Sequence, residues 1–149
     1  MINKKELLQF IINELSKKQL FLQQELKALS ESLANSTKSS AGDKHETETA
    51  MNQLEQEQLT RQLLALRHQQ QLVQQLNPQV KHTRITTGSL VKTSKAVFFI
   101  SVGVGKISCE GQEVFCINLE SPIGRQLYKK SVTEKIHFGE EEQVILEIS

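Results

Sequence analysis

Apolar residues in the first part of the chain recur at alternating spacings of three and four positions, with one polar interruption. The series is Leu8, Ile12, Leu15, Gln19, Leu22, Leu26, Leu29 and Leu33. Such spacing places its members on one stripe of an α-helix and is typical of a coiled-coil seam. It predicts a helix over residues 3–33, about 45 Å long at 1.5 Å per residue, whose stripe needs a partner.

A second seam in the same chain offers that partner. Its members are Leu59, Leu63, Leu66, Gln70, Val73 and Leu76. A reversal of the chain near Gly42, within the polar break from residue 36 to residue 43, brings the seams together in antiparallel order. This order pairs Leu26 with Leu59, Leu22 with Leu63 and Ile12 with Val73, and it leaves Gln19 and Gln70 as weaker layers. An intermolecular coiled coil is the competing interpretation, although the break has the ordinary length of a helix–helix connection.

The exposed end of this hairpin is polar. Residues 35–49 are nearly all polar or small, and we expect the apolar stripe of the second helix to resume around Met51 and Leu54. The predicted tip lies near residues 36–46. A narrow rod has no cavity for a substrate, so any chemistry at the tip must act on something that the tip contacts.

Glycine and proline mark a second domain. Six of the seven glycines, both prolines and the only tyrosine lie beyond Asn77. Pro78 ends the second helix because it cannot donate a backbone hydrogen bond and restricts the preceding residue. The predicted domains are therefore a hairpin over 1–77, a linker over 78–84 and a sheet domain over 85–149.

The sheet domain is predicted from runs rich in Val, Ile and Phe that glycines separate. These runs are 89–92, 97–104, 106–109, 113–119, 134–138 and 143–148. We expect an antiparallel sheet. Between the fourth and fifth runs, Ser121 and Pro122 are typical of a helix N-cap and first helical residue, which predicts one short helix on one face. The fold class is α+β.

The charge and the cysteine content argue against several classes of function. Lys and Arg together number 18 and Asp and Glu 17, so the net charge of +1 gives no overall attraction to nucleic acid or anionic membranes. Cys109 and Cys116 fit no zinc or redox spacing and are expected to be small apolar side chains of the sheet. No nucleotide-binding fingerprint or nucleophile elbow occurs. Without a signal-peptide core or membrane span, we expect a cytoplasmic protein with no membrane partner.

Two acids at the predicted tip have two interpretations. Asp43 and Glu46 lie three residues apart at a helix start, which is the spacing of a capping arrangement, and Asn3 and Glu6 repeat it. The same pair offers carboxylate oxygens to a hard cation such as Mg²⁺. Two carboxylates are too few for its octahedral shell, and the positive helix N-terminus disfavours a cation. If the pair binds Mg²⁺, a partner must therefore supply the other ligands.

These features together resemble the Gre family of bacterial transcript-cleavage factors. The resemblance comprises an N-terminal antiparallel coiled coil, Gly42-Asp43-x-x-Glu46 at its tip, and a C-terminal domain with the segment Ser121-Pro122-Ile123-Gly124-Arg125-x-Leu127. It covers nearly the whole length and implies an FKBP-like fold for the second domain. The tip of the family usually continues Leu-Ser-Glu-Asn-Ala-Glu-Tyr, where this chain has residues 44–50, and the family commonly has Gly-Asp where this chain has Thr133-Glu134.

The resemblance implies an accessory factor rather than a free enzyme. The coiled coil would enter the secondary channel of RNA polymerase. There Asp43 and Glu46 would be the catalytic acids that help to hold a Mg²⁺ shared with the polymerase, so that a backtracked RNA 3′ end is hydrolysed. A docking surface for the polymerase would be formed by Ser121, Pro122, Ile123, Gly124 and Arg125. The protein would be a monomer without a cofactor of its own.

Two further hypotheses remain open. A channel-binding regulator would use the same shape to inhibit RNA polymerase without cleavage. A peptidyl-prolyl isomerase would follow from the FKBP-like expectation, although a domain without Trp provides poorly for a deep aromatic pocket.

Overall fold

The computed structural model describes residues 2–36 and 42–149, with side chains described for 2–35 and 46–149. The chain forms two compact units. One comprises Asn13–Gln71, and the other comprises Met1–Ile12 together with Leu72–Ser149. The predicted boundaries at residues 77 and 84 stay predictions.

Two long helices make up the N-terminal half of the chain. Helix α1 spans Lys4–Ser36 and helix α2 spans Gly42–Gln75. Helix α1 begins where Asn3 accepts two backbone hydrogen bonds: its side-chain Oδ1 accepts from the N–H of Lys5 at 2.8 Å, and its carbonyl accepts from the N–H of Leu7 at 3.0 Å. Asn3 therefore caps the helix, as the spacing predicted.

In the Asn13–Gln71 unit, two side-chain contacts show that the helices run antiparallel. The Nε2 of Gln70 donates to Oε1 of Gln19 at 3.0 Å, and the Nε2 of Gln56 donates to Oγ of Ser30 at 3.4 Å. As residue numbers rise along α1, their partners on α2 fall. The predicted antiparallel pairing within one chain is confirmed, and the two glutamines of the seam bind one another.

The buried side chains of this unit follow the predicted stripe over part of its length. Leu15, Leu22, Leu63 and Leu66 are all buried. Continued from Leu59 towards the tip at spacings of three and four, however, the stripe of α2 reaches polar residues. These half-buried residues are Gln56, Asn52 and Thr49.

The expectation that the stripe resumes at Met51 and Leu54 is wrong. Their side chains are 65% and 63% exposed. Both residues are apolar, but they do not continue the spacing of three and four positions that joins Leu59, Leu63 and Leu66. They therefore lie on a different face of α2, because position along the helix decides which residues face the partner helix.

The second unit contains a six-stranded sheet with one short helix. All six predicted strands occur, with ends shifted by a few residues. They are β1 Leu90–Thr93, β2 Val97–Ile100, β3 Gly105–Cys109, β4 Gln112–Ile117, β5 Lys135–Phe138 and β6 Glu141–Ile148, with α3 Pro122–Leu127 between β4 and β5. The strand order is β3-β4-β2-β1-β6-β5.

One strand pair departs from the predicted antiparallel sheet. Strands β2 and β4 pair in parallel, with Phe98 opposite Phe115, whereas every other pair in this order is antiparallel. After β2 ends at Ile100, the chain crosses to a place in the sheet that is two strands away and forms β3 there. Strand β4 then lies between β3 and β2 and runs in the same direction as β2. The strand within the predicted run 97–104 therefore ends at Ile100.

The core of the sheet unit lies between the sheet and α3. Its fully buried members are Ile85, Val91, Phe98, Ile100, Leu127, Ile136 and Ile145. Phe98, Phe115 and Phe138 come from three strands and pack with ring centroids 5.2–5.6 Å apart. The short helix contributes Leu127 to this core, which confirms that it packs on one face.

A buried lysine fixes the start of α1 within the same unit. Lys4 is only 9% exposed, and its Nζ donates to the carbonyl of Val80 at 2.8 Å. Burial lowers the pKa of Lys4. Burial, followed by the positive charge of Lys4, also lowers the pKa of His82. Residues 80–82 are thus tied to the first turn of the helix.

In the part of the chain that the structure describes, no helix combines the length and the apolar character that a membrane span requires.

The Gln19–Gln70 hydrogen bond can be tested with a double-mutant cycle. We expect Gln19→Ala and Gln70→Ala to couple by about 0.5–1.5 kcal/mol, because each single change removes the same hydrogen bond. Urea unfolding of the two single variants and the double variant measures this coupling. The exposed pair Gln23 and Gln71 is the control, and its effects should add. Additive effects at Gln19 and Gln70 would contradict the register.

Candidate functional site

The two predicted tip acids lie in the first turn of α2. The helix begins at Gly42, so Asp43 and Glu46 are one helical turn apart. The side chain of Glu46 is exposed. Residues 37–41 of the predicted tip lie outside the described residues, and only the backbone is described for 42–45. Because α2 begins at Gly42, Asp43 is its second residue, so the backbone does not place Asp43 at the N-cap position that the capping interpretation predicted. Metal binding by Asp43 stays a prediction.

Two carboxylates are an incomplete ligand set for Mg²⁺. Asp43 and Glu46 could fill at most two of its about six positions with the hard oxygen ligands that it prefers. Among the side chains that the structure describes, no group of three or more His, Cys, Asp or Glu is arranged to hold a metal. Remaining ligands would have to come from a partner molecule.

The segment that begins at Ser121 forms a tightly bonded helix start. Oγ of Ser121 accepts from the N–H of Gly124 at 3.0 Å and donates to the carbonyl of Asn118 at 2.8 Å. The side chain of Asn118 in turn accepts from the N–H groups of Glu120 and Ser121. Pro122 is the first helical residue. The predicted N-cap is therefore confirmed.

Residue 124 must be glycine because its surroundings leave no room for a side chain, not because of its backbone conformation. A Cβ on this residue would lie 2.0 Å from the carbonyl oxygen of Asn118 and 2.9 Å from Cα of Leu119. Both atoms belong to the backbone and cannot move without opening the turn. Any side chain larger than hydrogen is excluded here.

The five predicted docking residues divide into two groups. Gly124 is buried, while Ser121 and Ile123 are half-buried, with Ile123 packed against the core. Pro122 and Arg125 are exposed and available to a partner. The prediction that the segment binds a partner is not tested by this geometry.

Further exposed groups follow at the end of α3. The Nζ of Lys129 lies 5.2 Å from the ring centroid of Tyr128, whose side chain is exposed. This contact holds an aromatic ring and a cation together at the surface. In the sequence, Lys129 extends the predicted docking surface with positive charge, although lysines are also common at helix C-termini.

The backbone after α3 is anchored to residue 85. The N–H of Lys129 donates to the carbonyl of Ile85 at 2.8 Å, and the N–H of Ile85 donates to the carbonyl of Lys130 at 2.9 Å. The hydrogen bond that Glu134 accepts from the backbone of Ser131 lowers the pKa of that carboxyl, and the charges of Lys130 and Arg84 add to this effect. No pattern in the sequence predicted that Arg84 lies near Glu134.

Thr133 has a backbone conformation that disfavours threonine. Its φ is +80°, and the residue is exposed. A β-branched side chain in this region is strained, whereas glycine adopts it freely. The strain therefore lies in the loop that leads to β5.

The cysteines carry no reactive site. Cys109 and Cys116 are free and buried. The register places Cys109 opposite Gln112 and Cys116 opposite Gly105, so the two are not cross-strand partners. Burial raises the pKa of both thiols, that of Cys116 to about 12. Both are protonated at neutral pH, which confirms their prediction as small apolar side chains.

We expect Gly124→Ala to destabilise the protein by about 2–4 kcal/mol, because the added methyl overlaps the carbonyl of Asn118. Thermal or urea unfolding of the full chain measures this loss. Gly103→Ala is the matched control, since its Cβ would lie 3.4 Å from the movable side-chain nitrogen of Asn118. Its cost should be less than about 1 kcal/mol. Equal costs at the two positions would contradict the close approach.

We expect Thr133→Gly to stabilise the protein by about 0.5–1 kcal/mol, because glycine relieves the positive φ and no packing is lost. Urea unfolding measures the gain. Thr83→Gly, at an exposed position without positive φ, should instead lower the stability slightly. A loss of stability at both positions would show that Thr133 is not strained.

Comparison of the chain with models of known protein families, with curated proteins and with solved structures gave no match in any of the three. Its function must be inferred from its own residues and geometry.

Proposed function

We propose that this chain is a Gre-like transcription elongation factor that acts as an accessory to RNA polymerase. Its helical hairpin enters the secondary channel of the polymerase, and its tip acids stimulate cleavage of backtracked RNA. The chain has no catalytic activity of its own. The observation that carries this proposal is the antiparallel helix pair joined by Gln19 and Gln70, because it presents a narrow two-helix arm.

The length of this arm supports the proposal. From Asn13 to Ser36 a helix rises about 36 Å at 1.5 Å per residue. Two packed helices together are only about 20 Å wide. An arm with these dimensions fits a channel and has no room for a substrate pocket of its own.

The incomplete ligand set at the tip is what an accessory factor requires. Asp43 and Glu46 lie one turn apart at the start of α2, where they can act on a neighbouring active site. A magnesium ion held jointly by these acids and the polymerase would position and polarise the attacking water. The two acids provide oxygen ligands and negative charge, while the polymerase supplies the remaining ligands and the RNA.

The sheet unit supports the proposal through the segment from Ser121 to Arg125. We propose an FKBP-like fold for this unit and assign polymerase docking to its α3 surface. The buried Gly124 and the capping Ser121 hold α3 in place, so that Pro122 and Arg125 are presented to the partner. The positive φ at Thr133 suits glycine, which is the residue that the Gre resemblance leads us to expect there.

A regulator that occupies the channel without cleaving RNA is the second candidate. It is favoured by the tip sequence, because Lys44 and His45 follow Asp43 where the family usually has Leu and Ser. A positive charge beside Asp43 weakens the attraction of the pair for a cation.

We expect the protein to shorten the RNA of stalled, backtracked elongation complexes and to cleave nothing when polymerase is absent. Asp43→Asn and Glu46→Gln should each abolish the shortening and change stability by less than about 1 kcal/mol, because each change removes a charge from the first turns of a helix and keeps the size of the side chain. Gel analysis of 3′-backtracked transcripts measures cleavage, and unfolding measures stability.

Glu57→Gln is the matched control, since Glu57 is exposed on the same helix about 16 Å, or three turns, beyond Glu46 and should not affect cleavage. Slowed nucleotide addition without RNA shortening would favour the regulator. An unchanged polymerase response to both Asp43→Asn and Glu46→Gln would contradict the metal-binding role of these acids.

A further inference from the structure

The described part of the hairpin nearest the tip has a strong local charge. Residues 28–36 and 46–60 contain no Lys or Arg, although the whole chain carries a net charge of +1. The acids in these two stretches are Glu31, Glu46, Glu48, Glu55 and Glu57. A surface of one sign focuses its field on partners of the opposite sign.

Two large apolar side chains are exposed within this acidic stretch. Met51 and Leu54 lie one helical turn apart on α2, on its outer surface rather than on the seam towards α1. They line a shallow groove of about 540 Å³, which we call the acidic groove. Its lining residues are Glu48, Met51, Asn52, Leu54, Glu55 and Gln58.

Among the side chains that the structure describes, no ion pair uses the carboxylates at the edge of the groove. The ion pairs of the described residues join Lys17 to Glu14 on α1 and three further pairs in the sheet unit, and none involves Glu48 or Glu55. These two carboxylates lie one on each side of Met51 in sequence, three and four positions away, and therefore on the same helix face. The face combines two apolar anchors with two free negative charges.

We infer that the acidic groove is a docking site for a cationic amphipathic helix of a partner protein. Such a helix places apolar side chains at spacings of three and four on Met51 and Leu54, and its flanking lysines or arginines reach Glu48 and Glu55. Charge complementarity identifies this occupant, because nucleic acids and anionic membranes are repelled by the same carboxylates. The inference concerns the outer face of α2 rather than the tip acids, and its test uses the chain without polymerase, so its outcome does not depend on the proposed function.

The test uses the full chain and a fluorescently labelled synthetic helix of about 18 residues, with leucines at spacings of three and four and flanking lysines. We expect saturable binding by fluorescence anisotropy, weakened by added salt. The double variant Met51→Gln/Leu54→Gln should weaken binding at least about tenfold, because two apolar contacts are lost. Circular dichroism should show an unchanged helix content, because both side chains are exposed.

Leu64→Gln is the matched control, since Leu64 is 56% exposed on the same helix but lies outside the acidic stretch. It should change the affinity less than about twofold. The charge-reversed variant Glu48→Lys/Glu55→Lys should no longer bind the synthetic helix with flanking lysines. It should instead bind a matched helix that carries glutamates in place of the lysines.

Three results would overturn the inference. The first is an equal loss of binding in the Leu64 variant, and the second is equal binding of the lysine and glutamate helices to the unmodified chain. The third is self-association in sedimentation velocity that Met51→Gln/Leu54→Gln abolishes, because the occupant would then be a second copy of this chain.

Discussion

The burial of one leucine stripe against another, within a single chain, is the constraint on which the pair of long helices depends. Helices α1 and α2 are mostly polar, and a helix gains most of its stability in a protein by covering its apolar stripe. Leu15 and Leu22 supply one side of this contact, and Leu63 and Leu66 supply the other. Without the pairing, no element in this unit would hold the first turn of α2 at the end of an extended arm.

The pair of glutamines within the seam defines how the two helices are aligned. Leucine stripes alone tolerate sliding, whereas a half-buried pair of glutamines can form its hydrogen bond in only one register. Gln19 and Gln70 meet this condition at 3.0 Å. Towards the tip, leucines of α1 continue the stripe while α2 offers Thr49, Asn52 and Gln56, so apolar contact weakens where Met51 and Leu54 are exposed on the outer surface. Buried leucines and exposed apolar side chains thus lie towards opposite ends of the helix pair.

Periodicity and turn chemistry predicted the elements of this fold, because both depend on neighbouring residues. The two seams, the six strands and the capped start of α3 were all visible in local patterns. The parallel pairing of β2 with β4 was not, because spacing within a strand does not encode which strand lies beside it. Met51 and Leu54 were misplaced because their apolar character was considered without their helical phase.

Candidate site residues were predictable as residue types, but not in their structural roles. Gly124 was expected at a docking surface, yet its approach to Asn118 becomes visible only in three dimensions. The positive φ of Thr133 could not be predicted, because threonine seldom adopts it. For Asp43 and Glu46, the sequence supports both a cap and a metal ligand, since each role uses carboxylate oxygens at the same spacing.

The claim that the tip reaches the metal of another active site can be tested by locating the tip relative to that metal. Fe²⁺ is substituted for Mg²⁺ in backtracked RNA polymerase complexes that contain the end-labelled chain, and peroxide then generates hydroxyl radicals at the ion. The account predicts that the polypeptide is cut around residues 43–46 and that excess Mg²⁺ suppresses the cut. Cleavage confined to the sheet unit, or no cleavage of a chain shown to be bound, would contradict it.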